Sequence, residues 1–298
     1  CEREFKENTA KLQRVPKWVG ELYLEFHRGT YTSMAKVKRS NRKAEFALQK
    51  AEALSSADIL FGGNYDSDGL KQVWLRILHN QFHDIIPGSS IGEVYQGTDA
   101  DYAQADQWCS HLIEEKLQRL AEGVNTQKGM LVYNSLGFSR EGQIWVDGEC
   151  FELEERIPAF GWKVVEPGKK TCQVSVSGLT AENAHYILTM DEAGRIRSLY
   201  HKKAGRQVFS ENAPGNELQI FEDRPRRYDN WEISDYYKQK MWILDEKAEI
   251  EPIFDGSRGG FRVARSYLNS RIVQNIWLYS RSPRIDFETK IDWHEKHQ

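Results

Sequence analysis

A change in hydrophobic periodicity near Gly129 constrains the fold of this chain more than any other feature. Before this residue, apolar side chains recur at helical spacing; after it, they alternate with polar side chains as in β-strands. Helices followed by strands predict an α+β protein. The length of 298 residues fits two domains. We expect a helical domain with a short lead-in over residues 1–128 and a β-sandwich domain over 129–298.

The first part contains three amphipathic segments, over residues 34–54, 70–83 and about 91–120. Their apolar positions are Met34, Val37, Ala44, Ala47, Leu48, Ala51 and Leu54, then Val73, Trp74, Ile77, Leu78 and Phe82, then Val94, Tyr95, Tyr102, Ala105, Cys109, Leu112, Ile113, Leu117 and Leu120. Short connections between such helices predict an antiparallel three-helix bundle. The basic residues Lys36, Lys38, Arg39, Arg42 and Lys43 indicate a solvated helix face.

The second part alternates polar and apolar residues in several short runs. Strands are expected over residues 130–134, 143–147, 172–176, 185–190 and 272–278. Turn residues such as Asp147-Gly148 and Asp255-Gly256 separate them, which favours an antiparallel sandwich. A last alternating run covers residues 285–291, close to the end of the sequence. Because a sheet cut there is unfinished, and the first residue is Cys1, we expect a piece of a longer protein.

Composition excludes several classes of function. A formal net charge of -3 gives no general basic face for nucleic acid, and no apolar run reaches the roughly 20 residues of a membrane span. The four cysteines are scattered without paired spacing, which predicts free thiols and a cytoplasmic protein. No Ser-His-Asp elbow, phosphate loop or dinucleotide fingerprint is present.

The densest group of chemically useful residues is the stretch over residues 79–90, which contains His79, His83 and Asp84 before Pro87-Gly88. At this spacing the two imidazoles are expected on one face of a helix, which Pro87-Gly88 would end. His83 and Asp84 can bind a divalent metal or a polar ligand. The alternative is a helix-terminal histidine favoured by the dipole. No Glu follows His79, so a self-contained zincin site is disfavoured, and any co-ligands must come from elsewhere.

Two further clusters combine aromatic and polar residues. Residues 21–33 predict an extended segment, a glycine turn and Ser33 as a helix cap, and they could line a sugar pocket. Residues 221–232 form an aromatic and acidic loop inside the β region, of the kind that grips sugars. A capped helix with an exposed loop, and a charged surface loop, remain the alternatives for these two segments.

Together and in this order, the three clusters resemble the α-mannosidases of glycoside hydrolase family 38. Residues 25–33 are similar to the family's segment leading into its helical middle domain. Residues 79–89 resemble its HD-x-x-x-G motif, and residues 221–231 resemble a loop of its C-terminal β domain more loosely. The resemblance covers residues from about Pro16 to the end. It implies a β half of the mutarotase-like super-sandwich type, incomplete at its C-terminal end.

The resemblance also implies a zinc-dependent retaining mechanism on terminal α-mannosides of glycans. His83 would be one of four zinc ligands, and Asp84 would bond a hydroxyl of the bound mannose. The other expected substrate-binding residues are His27, Arg28, Tyr31, Asp229 and Trp231. The family's N-terminal α/β domain, with the nucleophile, the acid/base and the other ligands, has no counterpart pattern here. We therefore expect no catalytic residue, no hydrolase activity and weak zinc binding from this polypeptide alone.

Two other classes of function stay open at this point. A non-catalytic carbohydrate-binding sandwich with a helical appendage would carry an aromatic platform on its β half and bind sugar without metal. An interaction module would expose large apolar patches on the bundle. Such patches are also expected if the bundle docks the N-terminal catalytic domain of the same protein, so that domain is the partner we expect.

Overall fold

The computed structural model of the chain describes residues 1–15, 17–20, 27–166, 172–210 and 213–297. Within these ranges, helices precede antiparallel strands, and the α+β class predicted from the sequence is confirmed. The α-helices are α1 Glu2–Thr9, α2 Ala35–Ile59, α3 Ser67–Asn80 and α4 Gly92–Glu122, and the 3-10 turns are Gly29–Tyr31 and Asp235–Gln239. The extended segment predicted for residues 21–26 lies outside the described residues.

The long helices α2, α3 and α4 pack around one apolar core. Its buried members are Val37, Ala44, Leu48 and Ala51 of α2, Leu70, Val73 and Ile77 of α3, and Tyr95, Tyr102, Ala105, Cys109 and Leu112 of α4. Three apolar residues expected in this core are exposed instead: Met34 at 43%, Leu78 at 53% and Phe82 at 51%. Leu78 lies on the outer side of α3 and Phe82 in the turns that follow this helix, so this surface of the bundle is more apolar than its sequence pattern indicates.

Helix α3 ends earlier than the sequence predicts, and this changes the position of His83. The helix stops at Asn80, so His79 lies within it while His83 lies in the following turns. The Asn80 amide donates to Asp101 of α4, and the Gln81 amide donates to Asn41 of α2. These bonds hold residues 80 and 81 inside the bundle, where the backbone tightens into turns. The prediction that both imidazoles share one helix face was therefore wrong.

The start of α2 also differs from the prediction. Ser33 does not cap the helix: the residue before α2 is Met34, in a left-handed conformation with φ of 51°, and no side chain caps this end. The Ser33 hydroxyl instead donates to the carbonyl oxygen of Asn230, at 2.7 Å. A residue expected to stabilise a helix end therefore connects the helical part to the β part.

The described strands form antiparallel sheets only. The strands are β1 Met130–Tyr133, β2 Gln143–Val146, β3 Glu149–Glu152, β4 Trp162–Val165, β5 Ser175–Ser177, β6 Thr180–Glu182, β7 Tyr186–Met190, β8 Ile196–His201, β9 Arg206–Gln207, β10 Gln219–Phe221, β11 Met241–Ile243, β12 Glu249–Asp255, β13 Arg258–Tyr267, β14 Ser270–Tyr279 and β15 Ile285–Asp292. Strands β5 to β9 make one sheet and β12 to β15 another, while β1–β4, β2–β3 and β10–β11 are separate pairs. The strand expected over residues 172–176 begins three residues later, at Ser175.

The two larger sheets face each other as a sandwich. One apolar core joins Val174, Ala181, Leu188, Met190, Ile196 and Leu199 to Phe261, Val263, Ile276 and Leu278. The opposite face of β14 is covered by the β2–β3 hairpin, where Cys150 packs against Trp277 and Tyr279. On the sheet face that the β2–β3 hairpin covers, the Arg258 guanidinium lies 4.1 Å from the centre of the Trp277 ring and pairs with Asp255 at 2.7 Å.

The composition raised two questions, the state of the cysteines and the presence of membrane-spanning helices. All four cysteines, Cys1, Cys109, Cys150 and Cys172, are free thiols. None of the described helices combines the length and apolar character needed to span a bilayer.

Candidate functional site

Three segments far apart in the sequence meet where the helices join the β part. The Gly29 amide donates to the Trp231 carbonyl oxygen at 2.9 Å, and Ser33 donates to Asn230. The Arg28 guanidinium pairs with Asp235 at 2.7 Å. Two of the three motifs, the one over residues 21–33 in its described part 27–33 and the one over residues 221–232, therefore touch each other directly.

Rings and backbone pack closely in this contact. The His27 and Trp231 rings are 4.8 Å apart between centroids and tilted by 53°. A Cβ placed on Gly29 would lie 3.1 Å from backbone atoms of Trp231 and Glu232, so a larger residue at this position would push the two segments apart by a few tenths of an ångström. His27 and Trp231 thus form one aromatic group made from two distant parts of the chain.

The turn after His83 is held by side chains from three places. The carbonyl oxygen of Asp84 accepts a hydrogen bond from Ser90, and that of Ile85 accepts one from Tyr95 of α4 at 3.1 Å. The carbonyl oxygen of Ile86 accepts one from the Lys38 ammonium of α2 at 2.8 Å. With three successive carbonyls satisfied, the turn has a defined shape without belonging to a helix.

Gly88 brings this turn against Ser33. Its φ is +91°, and an added Cβ would lie 2.6 Å from the Ser33 carbonyl oxygen. The remaining motif, residues 79–89, is therefore in contact with the motif over residues 21–33 through Gly88 and Ser33, and Ser33 contacts the loop at Asn230. A single junction contains segments of all three motifs.

We predict that Gly88→Ala lowers the free energy of unfolding by about 1 to 3 kcal/mol, because alanine is strained at this positive φ and collides with Ser33. Chemical denaturation followed by circular dichroism measures the change. Gly97→Ala is the matched control, since Gly97 lies in α4 with nothing within 4 Å of an added Cβ, and it should stabilise by about 0.5 to 1 kcal/mol. Equal effects of the two substitutions would contradict the close contact at Gly88.

His83 and Asp84 point into open space at the edge of this junction. Their side chains are 79% and 46% exposed, and His83 Nε2 lies 3.4 Å from the nearer Asp84 carboxylate oxygen. The His83 ring also contacts Phe82, at 4.2 Å between centroids. An exposed imidazole beside a carboxylate can supply a ligand to a metal. It cannot enclose one: in the part of the chain that the structure describes, no three His, Cys, Asp or Glu side chains cluster to hold an ion.

The remaining predicted substrate-binding residues are less tightly grouped. Tyr31 is 61% exposed, and Asp229 is exposed on the loop after β10. Burial, and then the nearby charge of Asp229, raise the pKa of the Asp223 carboxyl, which sequence analysis did not single out. Asp223 and Arg28 line a cleft of about 1030 Å³ between the β10–β11 pair and the inner face of β14 and β15. The lining of this cleft does not include His83 or Asp84.

Lys38 is the junction residue that sequence reasoning placed wrongly. It was expected on a solvated helix face, and Lys36, Arg39, Arg42 and Lys43 are indeed exposed. Lys38 is only partly exposed, and burial lowers its pKa. The one available signal was its position beside Val37 and Asn41, which face the bundle core.

Comparison with known protein families identifies the family of this chain. The family model described as Alpha mannosidase middle domain matches residues 25–120, and the model described as Glycosyl hydrolases family 38 C-terminal domain matches residues 181–298. The chain belongs to glycoside hydrolase family 38. The two matched ranges include all three segments of the junction.

Individual relatives agree with this family. Alpha-mannosidase 2C1 of Homo sapiens is 29% identical over 308 residues, an alignment that covers 96% of this chain and 29% of that protein. Alpha-mannosidase G of Dictyostelium discoideum is 26% identical over 364 residues, covering 99% of this chain and 33% of that protein. The chain thus spans about a third of the length of these curated relatives.

The fold matches a solved structure of an alpha-mannosidase. The crystal structure of an alpha-mannosidase from Enterococcus faecalis V583 superposes with a TM-score of 0.72 at 14% identity. The superposition covers 97% of this chain and 45% of that chain. At this identity the match shows that the helical and β parts are folded and arranged alike.

Proposed function

We propose that this chain forms the helical and β-sandwich part of a zinc-dependent, retaining α-mannosidase that hydrolyses terminal α-mannosides of glycans. The observation that carries the proposal is the junction of the three motifs, with His83 and Asp84 exposed beside it. In a member of glycoside hydrolase family 38, this junction is the natural place for one wall of the active site.

In this proposal each junction residue has a defined task. His83 gives one imidazole ligand to zinc, which supplies Lewis-acid and template chemistry when bound. The Asp84 carboxylate accepts a hydrogen bond from a mannose hydroxyl. The paired rings of His27 and Trp231 offer an apolar face to the sugar, while Arg28, Tyr31 and Asp229 provide polar contacts.

The same proposal assigns the nucleophile, the acid/base and the other metal ligands to an N-terminal domain of the whole protein. An exposed apolar surface at the end of α3 supports docking of such a domain. Leu75 and Leu78 of α3, and Phe82 just after it, are each about half exposed, and the Phe82 ring contacts His83. We therefore propose that residues 1–298 alone do not hydrolyse mannosides and bind zinc weakly, since one imidazole makes no closed site.

We predict that removing zinc from the whole protein abolishes hydrolysis of an aryl α-mannoside, and that added zinc restores it. Activity is measured for the polypeptide that joins the upstream coding sequence to these residues, before and after complete removal by a chelator. Residues 1–298 alone serve as the inactive reference. Hydrolysis that continues unchanged after zinc is gone would rule out the metal mechanism.

The same samples test the alternative of a non-catalytic carbohydrate-binding sandwich. That alternative requires residues 1–298 to bind a mannoside with an affinity that the chelator does not change, and the whole protein to show no hydrolysis. Calorimetric titration of methyl α-mannoside into the isolated chain separates the two functions. The four free thiols support a reducing compartment, and we propose the cytoplasm.

A further inference from the structure

Lys38 occupies an unusual place for a helix lysine. Its ammonium donates to the carbonyl oxygens of Ser33 and Ile86, at 2.5 and 2.8 Å. Among the described residues, Lys38 forms no ion pair with a carboxylate, whereas Lys36 and Arg42 on the same helix pair with Asp99 and Glu45. Burying a charge partly costs free energy, and charge-assisted hydrogen bonds to the two backbone oxygens offset this cost. This arrangement indicates that the two bonds have a role.

The two oxygens belong to two of the three motifs that meet at the junction, the one over residues 21–33 and the one over residues 79–89. Ser33 ends the first motif and also holds Asn230, while Ile86 lies three residues after His83. The bonds from Ser90 and Tyr95 shape the turn from its own C-terminal side and from α4. Among the described side chains that bond to this turn, Lys38 also bonds to Ser33, whereas Ser89, Ser90 and Tyr95 do not.

We propose that Lys38 is a positioning residue, which fixes the turn carrying His83 and Asp84 against the Ser33–Asn230 contact. This role rests on the proposed function of His83 and Asp84 in a zinc and mannose site. Lys38 does not touch the sugar or the metal; it sets the place from which His83 and Asp84 reach them. Near the metal, a misplacement of about 1 Å is enough to lower the rate strongly.

The first experiment measures the turn itself, in residues 1–298. The amides of Ile85, Ile86 and Gly88 donate within the turn, to Phe82 and Ile85, so their hydrogen exchange reports its opening. Lys38→Met, which keeps the length of the side chain, should accelerate exchange of these amides about tenfold. Lys38→Arg should restore most of the protection, and Lys43→Met, on the exposed side of α2, should change nothing.

The second experiment measures function in the whole protein. Lys38→Met should weaken zinc binding and lower kcat/KM for an aryl α-mannoside about tenfold, with an unchanged midpoint of unfolding. Lys38→Arg should recover much of both, which a merely structural role would not predict.

Unchanged amide exchange in Lys38→Met overturns the proposal, and so does faster exchange with zinc affinity and kcat/KM of the wild type. A wild-type whole protein without hydrolase activity contradicts the proposed function instead. In that case the exchange data still decide whether Lys38 holds the turn.

Discussion

Replacing His83 with alanine in the whole protein is expected to lower kcat/KM for an aryl α-mannoside by at least about 100-fold. The proposed site loses a metal ligand, and even partners one step removed from a metal commonly cost 10- to 100-fold. Zinc affinity should fall in parallel, measured by competition with a chromophoric chelator. Because the His83 side chain is 79% exposed and makes no core contact, the variant should fold with the stability of the wild type.

His79→Ala is the matched control for this experiment. His79 is also an exposed imidazole, four residues earlier, but it belongs to α3 and lies outside the turn that Lys38 and Tyr95 hold. This variant should keep its zinc and its activity. Full activity in His83→Ala, or an equal loss in both variants, would contradict the assignment of His83.

Asp58→Asn is expected to destabilise the helical part by about 3 kcal/mol. Asp58 and Lys116 are both only 2% exposed, and they pair at 3.0 Å between α2 and α4. Arg119 binds the other Asp58 oxygen at 2.9 Å. Removing the charge of Asp58 leaves the Lys116 ammonium buried without its main counter-charge, which costs about 3 to 5 kcal/mol in comparable pairs.

Urea unfolding followed by circular dichroism at the helix band measures this loss. Asp106→Asn, an exposed position on α4, should change the free energy of unfolding by no more than about 0.5 kcal/mol. The double variant Asp58→Asn/Lys116→Met should recover part of the loss, because no buried ammonium remains. A single Asp58→Asn variant as stable as the wild type would refute the role of the pair.

The pair of Asp58 and Lys116 also determines in which direction stability changes with pH. Burial alone would raise the pKa of Asp58, but bonds from Arg119 and Lys116 hold it below its ordinary value of 3.8. Its contribution is therefore complete above that value and is lost as pH falls through the lower folded-state pKa. Burial would lower the pKa of Lys116, yet Asp58 and Glu115 hold it above 10.5, so its contribution is complete below that pH and lost in strong alkali.

Much of the fold could be predicted because it depends on local pattern. The stripe Val37, Ala44, Leu48 and Ala51 recurs at helical spacing, and these residues do form one side of the bundle core. The alternation over residues 285–291 appears as β15, since period two suits only a strand. The three motifs could also be located, because aromatic and polar residues interrupt those patterns there.

The errors arose where distant residues decide a local conformation. The helix ends at Asn80, where Asp101 and Asn41 bind the amides of Asn80 and Gln81, and neither partner is near them in the sequence. Ser33 bonds to Asn230 instead of capping α2, since the loop after β10 reaches it only in the folded chain. Both of these errors concern polar side chains with more than one possible partner.

By itself the sequence determined the order of helices and strands, the cores they bury and the residues whose side chains can bind a metal or a sugar. Periodicity determines these properties, because burying an apolar stripe is favourable wherever the helix or strand lies in the fold. Only the tertiary structure decided that His83 stands outside α3, exposed beside Asp84, on a turn held by Lys38 and Tyr95. Hydrogen bonds between segments far apart in the chain set that arrangement, and no local pattern encodes them.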